Sequence, residues 1–365
     1  MTRPVIWLAE VPFRGRPHRQ PILAERLAPK FEVLFIEPAA PLRPPRPTTW
    51  RVGDVRVGQA VPLLNAKPRL FQHLLTAKPL RRLAGTFGGM QVARHARELG
   101  FQKNGIVICS NVFLARAIES LAPARVVVDI CDDPRFYPGE PPWTEHLLFD
   151  CVRRADVVTT TSRALQAEFQ QLGAQCVKYV PNGIAAAILQ RASAMQEGGS
   201  GVVGFLGHLG PWVDFDLLEA IADALPFGTL RLVGSIDEKM WPRLSRLEAR
   251  QNVQYVGPVP YDRVPDVLLE FDVGLIPFVR SRYTRAVNPI KLYEYAAFNI
   301  PIVSSSFSPD VLQFADVIDV REDVGSFAKT VCERLEGYGR QNTRSIAESH
   351  TWEAIAQQFE ALLDP

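Results

Sequence analysis

Residues 287–304, VNPIKLYEYAAFNIPIVS, contain the pattern that decides the fold. An apolar run at 273–276 and an arginine-bearing loop, RSRYTR at 280–285, precede them. Pro289 suits the first position of a helix, where a missing N–H costs nothing, so a helix is predicted to begin at about Asn288. The apolar run PIVS closes the stretch and predicts a second strand. Strand, helix and strand in succession are typical of a parallel sheet with crossover helices.

The same alternation of short apolar runs and longer amphipathic segments extends along the whole chain. It predicts strands at 5–9, 33–36, 106–109, 126–130, 157–160, 202–206, 229–233, 253–256, 273–276 and 301–304. The predicted fold class is α/β, with two tandem doubly wound, Rossmann-like domains. The expected division is an N-terminal domain at 1–182, a linker at 183–200, a C-terminal domain at 201–345, and a C-terminal helix at 346–365 that packs back toward the N-terminal domain. Ligands of such sheets bind beyond the carboxyl ends of the strands, so a cleft between facing domains is the expected site.

Length and composition fit this organisation. The chain has 365 residues, of which 47% are hydrophobic and 22% charged, an ordinary globular balance that excludes collagen-like, coiled-coil and mainly disordered chains. No apolar run reaches the roughly 18–20 residues needed to span a bilayer. The five cysteines are scattered without C-x-x-C spacing, which favours reduced thiols over disulfides or zinc. We therefore expect a cytoplasmic protein without a bound metal.

Charge is unevenly distributed. Residues 1–100 carry 17 basic and 6 acidic residues, a net of +11, whereas the remainder carries 24 and 33, a net of −9. A basic portion of this kind indicates nucleic acid, a phosphate-bearing ligand or an anionic membrane surface. Nucleic acid is not expected as a partner, because no zinc-finger spacing, basic heptad helix or aromatic RNA-binding consensus is present.

Two basic segments of the first hundred residues are distinctive. Residues 67–82, KPRLFQHLLTAKPLRR, interleave bases with Leu and Phe, which is compatible with an anionic membrane face; the alternative is a solvated helix packed on its own domain. Residues 42–47, LRPPRP, predict a loop, because prolines lack the donors of a helix or interior strand. We place that loop over the mouth of the cleft or on a neighbouring binding surface.

The start of the helix at Asn288 predicts chemistry as well as structure. Its free N–H groups would lie at the strand tips and form an anion site. Lys291 falls in the first turn and Glu294 one turn later, on the same side. A phosphate is therefore predicted to meet Lys291, while Glu294 accepts hydrogen bonds from neutral hydroxyls such as those of a ribose. The alternative is a surface Lys–Glu pair in an N-terminal turn.

The same segment resembles the donor-binding motif of GT-B glycosyltransferases of the family 4 (group 1) type, from a teichuronic-acid or exopolysaccharide biosynthesis branch. Seven further stretches resemble this family in the same order, over about residues 125–360. They are 155–162 ADVVTTTS, 180–184 VPNGI, 203–207 VGFLG, 230–234 LRLVG, 252–265 NVQYVGPVPYDRVP, 271–277 FDVGLIP and 351–355 TWEAI. The resemblance implies an N-terminal acceptor domain, a C-terminal donor domain and transferase activity.

Carried over by position, Glu294 matches the ribose-binding glutamate of the family. Ala286 stands where many members have a sugar-contacting glutamate, and of the basic pair that often follows the Gly-rich loop only His208 is present. Lys291 and the loop at 280–285 are then expected to take over the diphosphate. The donor-binding residues implied are Gly207, His208, Tyr261, Arg282, Arg285, Asn288, Ile290, Lys291 and Glu294.

The catalytic base of the family, often a histidine, lies just past a strand of the first domain. Here 126–137, VVVDICDDPRFY, offers Asp132 or Asp133 for that role. An extended backbone would place Asp129, Cys131 and Asp133 on one face and Asp132 on the other. The alternative for Asp133 is to cap a helix that begins with a proline at position 134.

His18 and Arg19 follow the first strand, where the family's loop approaches sugar or acceptor; the alternative is a solvated charge run. The implied reaction moves a sugar from a nucleoside-diphosphate sugar, UDP- or GDP-linked, to a hydroxyl of a glycan or lipid-linked acceptor in cell-envelope synthesis. It requires no cofactor and no metal. Two alternatives stay open: a catalytically silent nucleotide-sugar-binding partner protein, and a GT-B-like nucleotide-sugar epimerase. The transferase is expected in the cytoplasm or as a peripheral protein at the inner face of the plasma membrane.

Overall fold

The computed structural model describes residues 3–15, 17–39, 45–65, 69–101, 105–137, 139–192, 199–225, 227–337 and 341–364. The chain forms two compact units, one of Met1–Val180 with Ala356–Pro365 and one of Pro181–Ile355. Three of the segments singled out above lie partly outside the described residues, at 42–44, 67–68 and 193–198.

The first unit is a sheet covered by helices. Its elements are β1 (Arg3–Leu8), α1 (Arg19–Leu27), β2 (Phe31–Pro38), β3 (Trp50–Val52), β4 (Val55–Ala60), α2 (Arg69–Leu74), α3 (Lys78–Glu98), β5 (Ile106–Cys109), α4 (Arg116–Leu121), β6 (Arg125–Ile130), α5 (Thr144–Arg154), β7 (Val157–Thr160), α6 (Arg163–Gln171) and β8 (Val177–Tyr179). The strand order is β3-β4-β2-β1-β5-β6-β7-β8, and every pair is parallel except β3 with β4. The order reverses beside β1, between β2 on one side and β5 on the other. This switch point puts the residues after β1, β5 and β6 at the edge where such sheets bind ligands.

The second unit repeats the plan. Its elements are α7 (Ala186–Ala192), β9 (Val202–Leu206), α8 (Phe215–Ala224), β10 (Thr229–Val233), α9 (Trp241–Glu248), β11 (Val253–Gly257), α10 (Val264–Leu268), β12 (Val273–Ile276), α11 (Arg282–Arg285), α12 (Ile290–Ala297), β13 (Ile302–Ser305), α13 (Pro309–Leu312), β14 (Asp319–Arg321), α14 (Val324–Leu335) and α15 (Arg344–Ser349). The last helix, α16 (Trp352–Glu360), crosses the boundary between the units.

The sheet of the second unit has the order β11-β10-β9-β12-β13-β14 and is parallel throughout the described pairs. Its order reverses between β9 and β12. The strands are short apolar runs buried on both faces, as expected where helices cover both sides of a parallel sheet. The predicted α/β class with two doubly wound sheets is confirmed.

Some local predictions differ from the structure. Pro289 is the residue before the helix, with extended ψ of 116°, and the first helical residue is Ile290 rather than Asn288. The segment 183–200 contains α7, whose Ile188 and Ala192 are buried in the core of the second unit. Among the described residues, no helix is both long enough and apolar enough to cross a membrane.

Candidate functional site

The second unit places its predicted residues around the ends of β9 and β10. The N–H of Gly207, directly after β9, donates to the carbonyl of Val233 at 2.8 Å. Gly234 has φ of 144°, and a Cβ there would stand 1.8 Å from the carbonyl oxygen of Gly207, so only glycine fits. A Cβ on Gly207 would lie 4.0 Å from Cε of Lys291. The structure therefore brings Gly207 and Lys291 together.

Helix α12 is held at this edge by its own aromatic side chain. The hydroxyl of Tyr295 accepts a hydrogen bond from the N–H of Leu206, the last residue of β9, at 2.9 Å. Its ring occupies the space beside Gly274, where a Cβ would stand 2.7 Å from the ring. The missing side chain at position 274 thus lets α12 approach the sheet, and the buried hydroxyl of Tyr295 fixes the helix against the end of β9.

Glu294 and Lys291 form the centre of the site. Nζ of Lys291 lies 2.6 Å from Oε2 of Glu294, as the spacing of three residues predicts. Glu294 is fully buried, whereas Lys291 keeps 28% of its side chain exposed. Within the described residues, Oε1 of Glu294 has no hydrogen-bond partner. A buried carboxylate oxygen without a partner is costly, so this one is prepared to accept a hydrogen bond from a ligand.

Tyr261 belongs to the same neighbourhood. Burial, and then the negative charge of Glu294, raise the pKa of the Tyr261 hydroxyl well above its usual value. The half-buried ring packs against the core of the second unit. An aromatic side chain within electrostatic reach of Glu294 provides a flat apolar surface beside the carboxylate.

Asn288 serves the structure of this edge. Its Oδ1 accepts from the N–H of Asn182 at 3.0 Å, and its Nδ2 donates to the hydroxyl of Tyr293 at 2.9 Å. Its carbonyl accepts from Nδ2 of Asn182 at 3.0 Å. These bonds join the segment that opens the second unit to the start of α12. Ile290, the first helical residue, is half-buried beside them.

His208 follows Gly207 and is one-third exposed. Its Nδ1 lies 2.8 Å from the hydroxyl of Ser235, and its Nε2 lies 3.6 Å from Oδ1 of Asp237. The imidazole is therefore oriented by its neighbours at the end of β9, where it can donate to an anion.

The arginines of the loop at 280–285 line a depression on the surface of the second unit. Arg282 and Arg285 are exposed on the one-turn helix α11, which begins with a capping box of Ser281 and Thr284. They line an open depression of about 570 Å³ together with Arg280, Ser281, Ser306, Phe307, Leu312 and Glu322. The structure thus brings Arg282 and Arg285 together with Arg280 in this depression, whose lining does not include Lys291 or Glu294. The neighbouring Ala286 is buried.

In the first unit, Arg19 and His18 are integrated into the fold. Arg19 is 2% exposed and pairs with the fully buried Asp129 at 3.3 Å, so it does not belong to a solvated charge run. Asp129 also accepts from the hydroxyl of Thr159 at 2.7 Å. His18 is the N-cap of α1 and accepts from the N–H of Gln20. Burial lowers the pKa of His18, although Asp129 opposes the effect.

The two predicted bases differ in their surroundings. Asp133 caps the turn Pro134–Phe136 by accepting from the N–H of Arg135, and both of its oxygens receive the Arg135 guanidinium at 2.8 and 2.6 Å. Asp132 is half-buried. Burial, and then the charge of Asp133, raise the pKa of Asp132 to about 6, against an opposing hydrogen bond from Tyr137. Asp132 is thus the carboxylate suited to exchange a proton near neutral pH.

Glu10 is a further carboxylate at this edge, and it was not among the residues predicted from the sequence. It stands two residues after β1, at the switch point of the first sheet, and Nε2 of Gln20 donates to its Oε2 at 3.2 Å. Burial, and then the charge of Asp132, raise the pKa of Glu10 to about 8. An acidic residue directly after a buried first strand is the signal that would have identified it. Glu10 therefore keeps its proton at neutral pH.

In the described part of the chain, no group of three or more His, Cys, Asp and Glu side chains lies close enough together to hold a metal ion. The five cysteines are free thiols.

Comparison with known proteins supports the resemblance. Residues 216–361 match a family model described as glycosyl transferase-like. TuaH of Bacillus subtilis (strain 168), provisionally named a teichuronic acid biosynthesis glycosyltransferase, is 27% identical over 224 residues, 57% of this chain and 56% of that protein. The match thus spans little more than half the length of this curated relative.

Solved structures extend the similarity over the whole fold. Sucrose-phosphate synthase (tll1590) from Thermosynechococcus elongatus has a TM-score of 0.73 at 14% identity, covering 99% of this chain and 98% of that one. Anabaena Alr3699/HepE, in complex with UDP and glucose, has a TM-score of 0.66 at 16% identity, covering 99% of each chain. The chain has the GT-B fold, and the predicted resemblance to GT-B glycosyltransferases is confirmed.

Proposed function

We propose that this protein is a glycosyltransferase of polysaccharide biosynthesis that uses a nucleoside-diphosphate sugar, UDP- or GDP-linked, as its donor. The proposal rests on the surroundings of Glu294. Its carboxylate is fully buried beside Lys291, and one of its two oxygens has no hydrogen-bond partner among the described residues. A ribose supplies the hydroxyl donors that this oxygen lacks. The glycosyl transferase-like match at 216–361 and the UDP bound by the HepE structure support the same donor class.

Lys291 would hold the diphosphate. An ammonium has three donors, so it can keep its bond to Glu294 and still bind a phosphate oxygen. At about 4 Å and an effective dielectric near 20, one lysine–phosphate attraction is worth about 4 kcal/mol before desolvation. The start of α12 adds at most about 2 kcal/mol. The lysine therefore dominates, with His208 as a further donor to the same anion.

Asp132 is proposed as the base. The bond from the anomeric carbon to the diphosphate breaks, and the diphosphate leaves with the electron pair. The hydroxyl oxygen of the glycan or lipid-linked acceptor forms the new bond to that carbon, and its proton goes to Asp132. With a pKa of about 6, Asp132 is ionised at neutral pH and yet basic enough to accept the proton.

The donor site is tested by isothermal titration of the full chain with UDP, GDP and ADP. Glu294→Gln is expected to weaken binding of the preferred nucleotide by about tenfold or more, because a charged acceptor of the ribose is lost. Glu333→Gln, at an exposed Lys–Glu pair on α14, is the matched control. Failure of all three nucleotides to bind, or equal affinity of wild type and Glu294→Gln, would refute the donor site.

Ala286 favours one other function. A buried alanine stands where many relatives of this type have a sugar-contacting glutamate, which fits a protein that binds nucleotide sugars without turning them over. Release of free nucleotide, measured with and without a panel of acceptors, separates the two. Acceptor-dependent release supports the transferase, whereas binding without release on every acceptor supports the silent protein. An altered sugar nucleotide formed without acceptor would point to an epimerase.

A further inference from the structure

Helix α3 of the first unit has its large apolar side chains on the outside. Leu80, Leu83, Phe87 and Met90 are all exposed, with Leu83 at 66% and Met90 at 57%. Their spacing of three, four and three residues places them in one row along the helix. We call these four residues the apolar ridge.

The opposite face of α3, which is buried, is lined by small residues in its first half, with Val92 and His95 following. Ala84, Gly85, Gly88 and Gly89 are buried there. A Cβ on Gly85 would stand 2.8 Å from the side chain of Arg116, so the missing side chain leaves room for Arg116 against the helix. The apolar ridge is therefore not a core face that has become exposed, because the core face is present and filled.

The preceding helix extends the exposed apolar surface. Leu70, Phe71 and Leu74 of α2 are exposed as well, Leu70 at 75%. Seven of the fifteen exposed large apolar side chains in the described part of the chain thus lie between residues 70 and 90. Such clustering marks an interaction surface rather than scattered surface residues.

Basic residues accompany this surface. The spacing of the apolar ridge continues into Arg94 and Arg97, which are exposed on the same face of α3, and Lys78 and Arg82 are exposed beside it. Residues 69–98 contain six Lys and Arg but one acidic residue, Glu98, which accepts from the hydroxyl of Thr49. Arg81 is used internally, because its guanidinium stacks over the ring of Trp143 at 5.4 Å.

We propose that α2 and the exposed face of α3 dock on an anionic lipid surface, with the apolar ridge inserted among the acyl chains and the four exposed bases at the headgroups. This combination of apolar side chains and bases is what such a surface binds. A second copy of the chain fits poorly, because a symmetric contact would bring these bases against each other without acidic partners. The expectation for 67–82 is thereby extended along α3 to residue 97.

The test is flotation of the full-length protein with vesicles of phosphatidylcholine alone and of phosphatidylcholine mixed with phosphatidylglycerol. We expect binding to the mixed vesicles that weakens as salt is added. The double variant Leu83→Gln/Phe87→Gln is expected to bind at least about tenfold more weakly, since two inserted side chains become polar. Arg94→Gln/Arg97→Gln is expected to lose about tenfold or more on the anionic vesicles.

Matched controls are Leu172→Gln and Lys178→Gln, which alter an exposed apolar and an exposed basic residue elsewhere in the first unit. Both should bind vesicles as wild type does. Titration with UDP and GDP, with thermal melting, is run on every variant, so that loss of vesicle binding is separated from loss of the donor site or of folding. Absence of vesicle binding, or vesicle binding that the ridge variants leave unchanged, overturns the proposal. A protein complex or dimer that the ridge variants abolish, without vesicle binding, would assign this face to a protein partner and also overturn it.

Discussion

Arg19 and Asp129 form an ion pair inside the first unit, with Nη2 of the guanidinium 3.3 Å from Oδ1 and neither side chain more than 2% exposed. Removal of one partner leaves the other charge buried without its counter-ion, which costs about 3–5 kcal/mol. We therefore expect Arg19→Met to lower the free energy of unfolding by that amount, measured by chemical denaturation.

Lys30→Met is the control for this pair. Lys30 lies 2.7 Å from Glu360 but is 64% exposed, so its loss should cost at most about 1 kcal/mol. Similar destabilisation by the two variants would contradict the structural role of Arg19. At equal folded fraction, Arg19→Met should bind nucleotide as wild type does.

Glu10 predicts a dependence of stability on pH. Its pKa in the folded protein is raised from 4.5 to about 8, so the fold favours the protonated carboxyl. The stabilisation is complete below about pH 4.5 and is lost as the pH rises through about 8. Glu10→Gln removes the charge, so the free energy of unfolding of this variant should rise relative to that of wild type as the pH increases over this range. The rise should be at most about 5 kcal/mol, because each unit of pKa difference corresponds to about 1.4 kcal/mol.

Denaturation curves at several pH values between 4 and 9 measure this difference. Glu25→Gln, on the exposed face of the neighbouring helix α1, is the matched control. A constant difference between Glu10→Gln and wild type at every pH would show that Glu10 keeps an ordinary pKa.

We expect Asp132 to act in catalysis and Asp133 to stabilise the fold. Asp132→Asn should lower kcat by about 10²–10⁴ and remove a rising limb of the pH–rate profile near pH 6, with little change in melting temperature. Asp133→Asn should instead lower stability by about 1–3 kcal/mol, because it removes the charge that holds Arg135 and weakens the turn cap. A loss of kcat per folded molecule in Asp133→Asn equal to that in Asp132→Asn would contradict this division.

The sequence allowed much of the fold to be predicted because the buried strands are continuous apolar runs. Strands β3, β8 and β14 escaped the prediction, since they are three residues long and partly exposed. Strand β4 escaped it as well, because polar residues and a glycine interrupt its apolar run, VRVGQA. The pair of Lys291 and Glu294 was predictable because the spacing of three residues on a helix fixes its geometry.

Other parts of the site depend on tertiary contacts that one sequence does not display. For Asp133 the cap was one of the two roles that the sequence offered, but the ion pairs of its partner Arg135 with Glu145 and Glu168 form only in the folded unit. The pKa of Glu10 is raised first by burial and then by the charge of Asp132, which is more than a hundred residues away in the sequence, and both effects arise only when the sheet forms. The outward apolar row of α3 is invisible to a periodicity argument, because a row of large apolar residues normally marks the buried face.

Because Lys291 and Glu294 form an ion pair, a single substitution at either position changes both the stability of the fold and the binding of the donor. Lys291→Met removes the diphosphate contact but also leaves the fully buried Glu294 carboxylate without its cation, so we expect a loss of about 1–3 kcal/mol in stability together with weaker donor binding. In Lys291→Met/Glu294→Gln the buried charge is gone. The double variant should therefore regain most of the stability of wild type while nucleotide binding stays at least about tenfold weaker.

A double-mutant cycle that combines thermal or chemical unfolding with titration of UDP and GDP measures both effects. We expect the stability of the double variant to recover, because the fold requires only that the buried charge of Glu294 be paired or absent. We expect its affinity for the nucleotide not to recover, because the ligand requires both Lys291 and Glu294. Lys329→Met/Glu333→Gln, at the exposed pair on α14, should change neither quantity appreciably. Should affinity return together with stability in the double variant, the pair would be structural, and the proposed donor site would lose its main support.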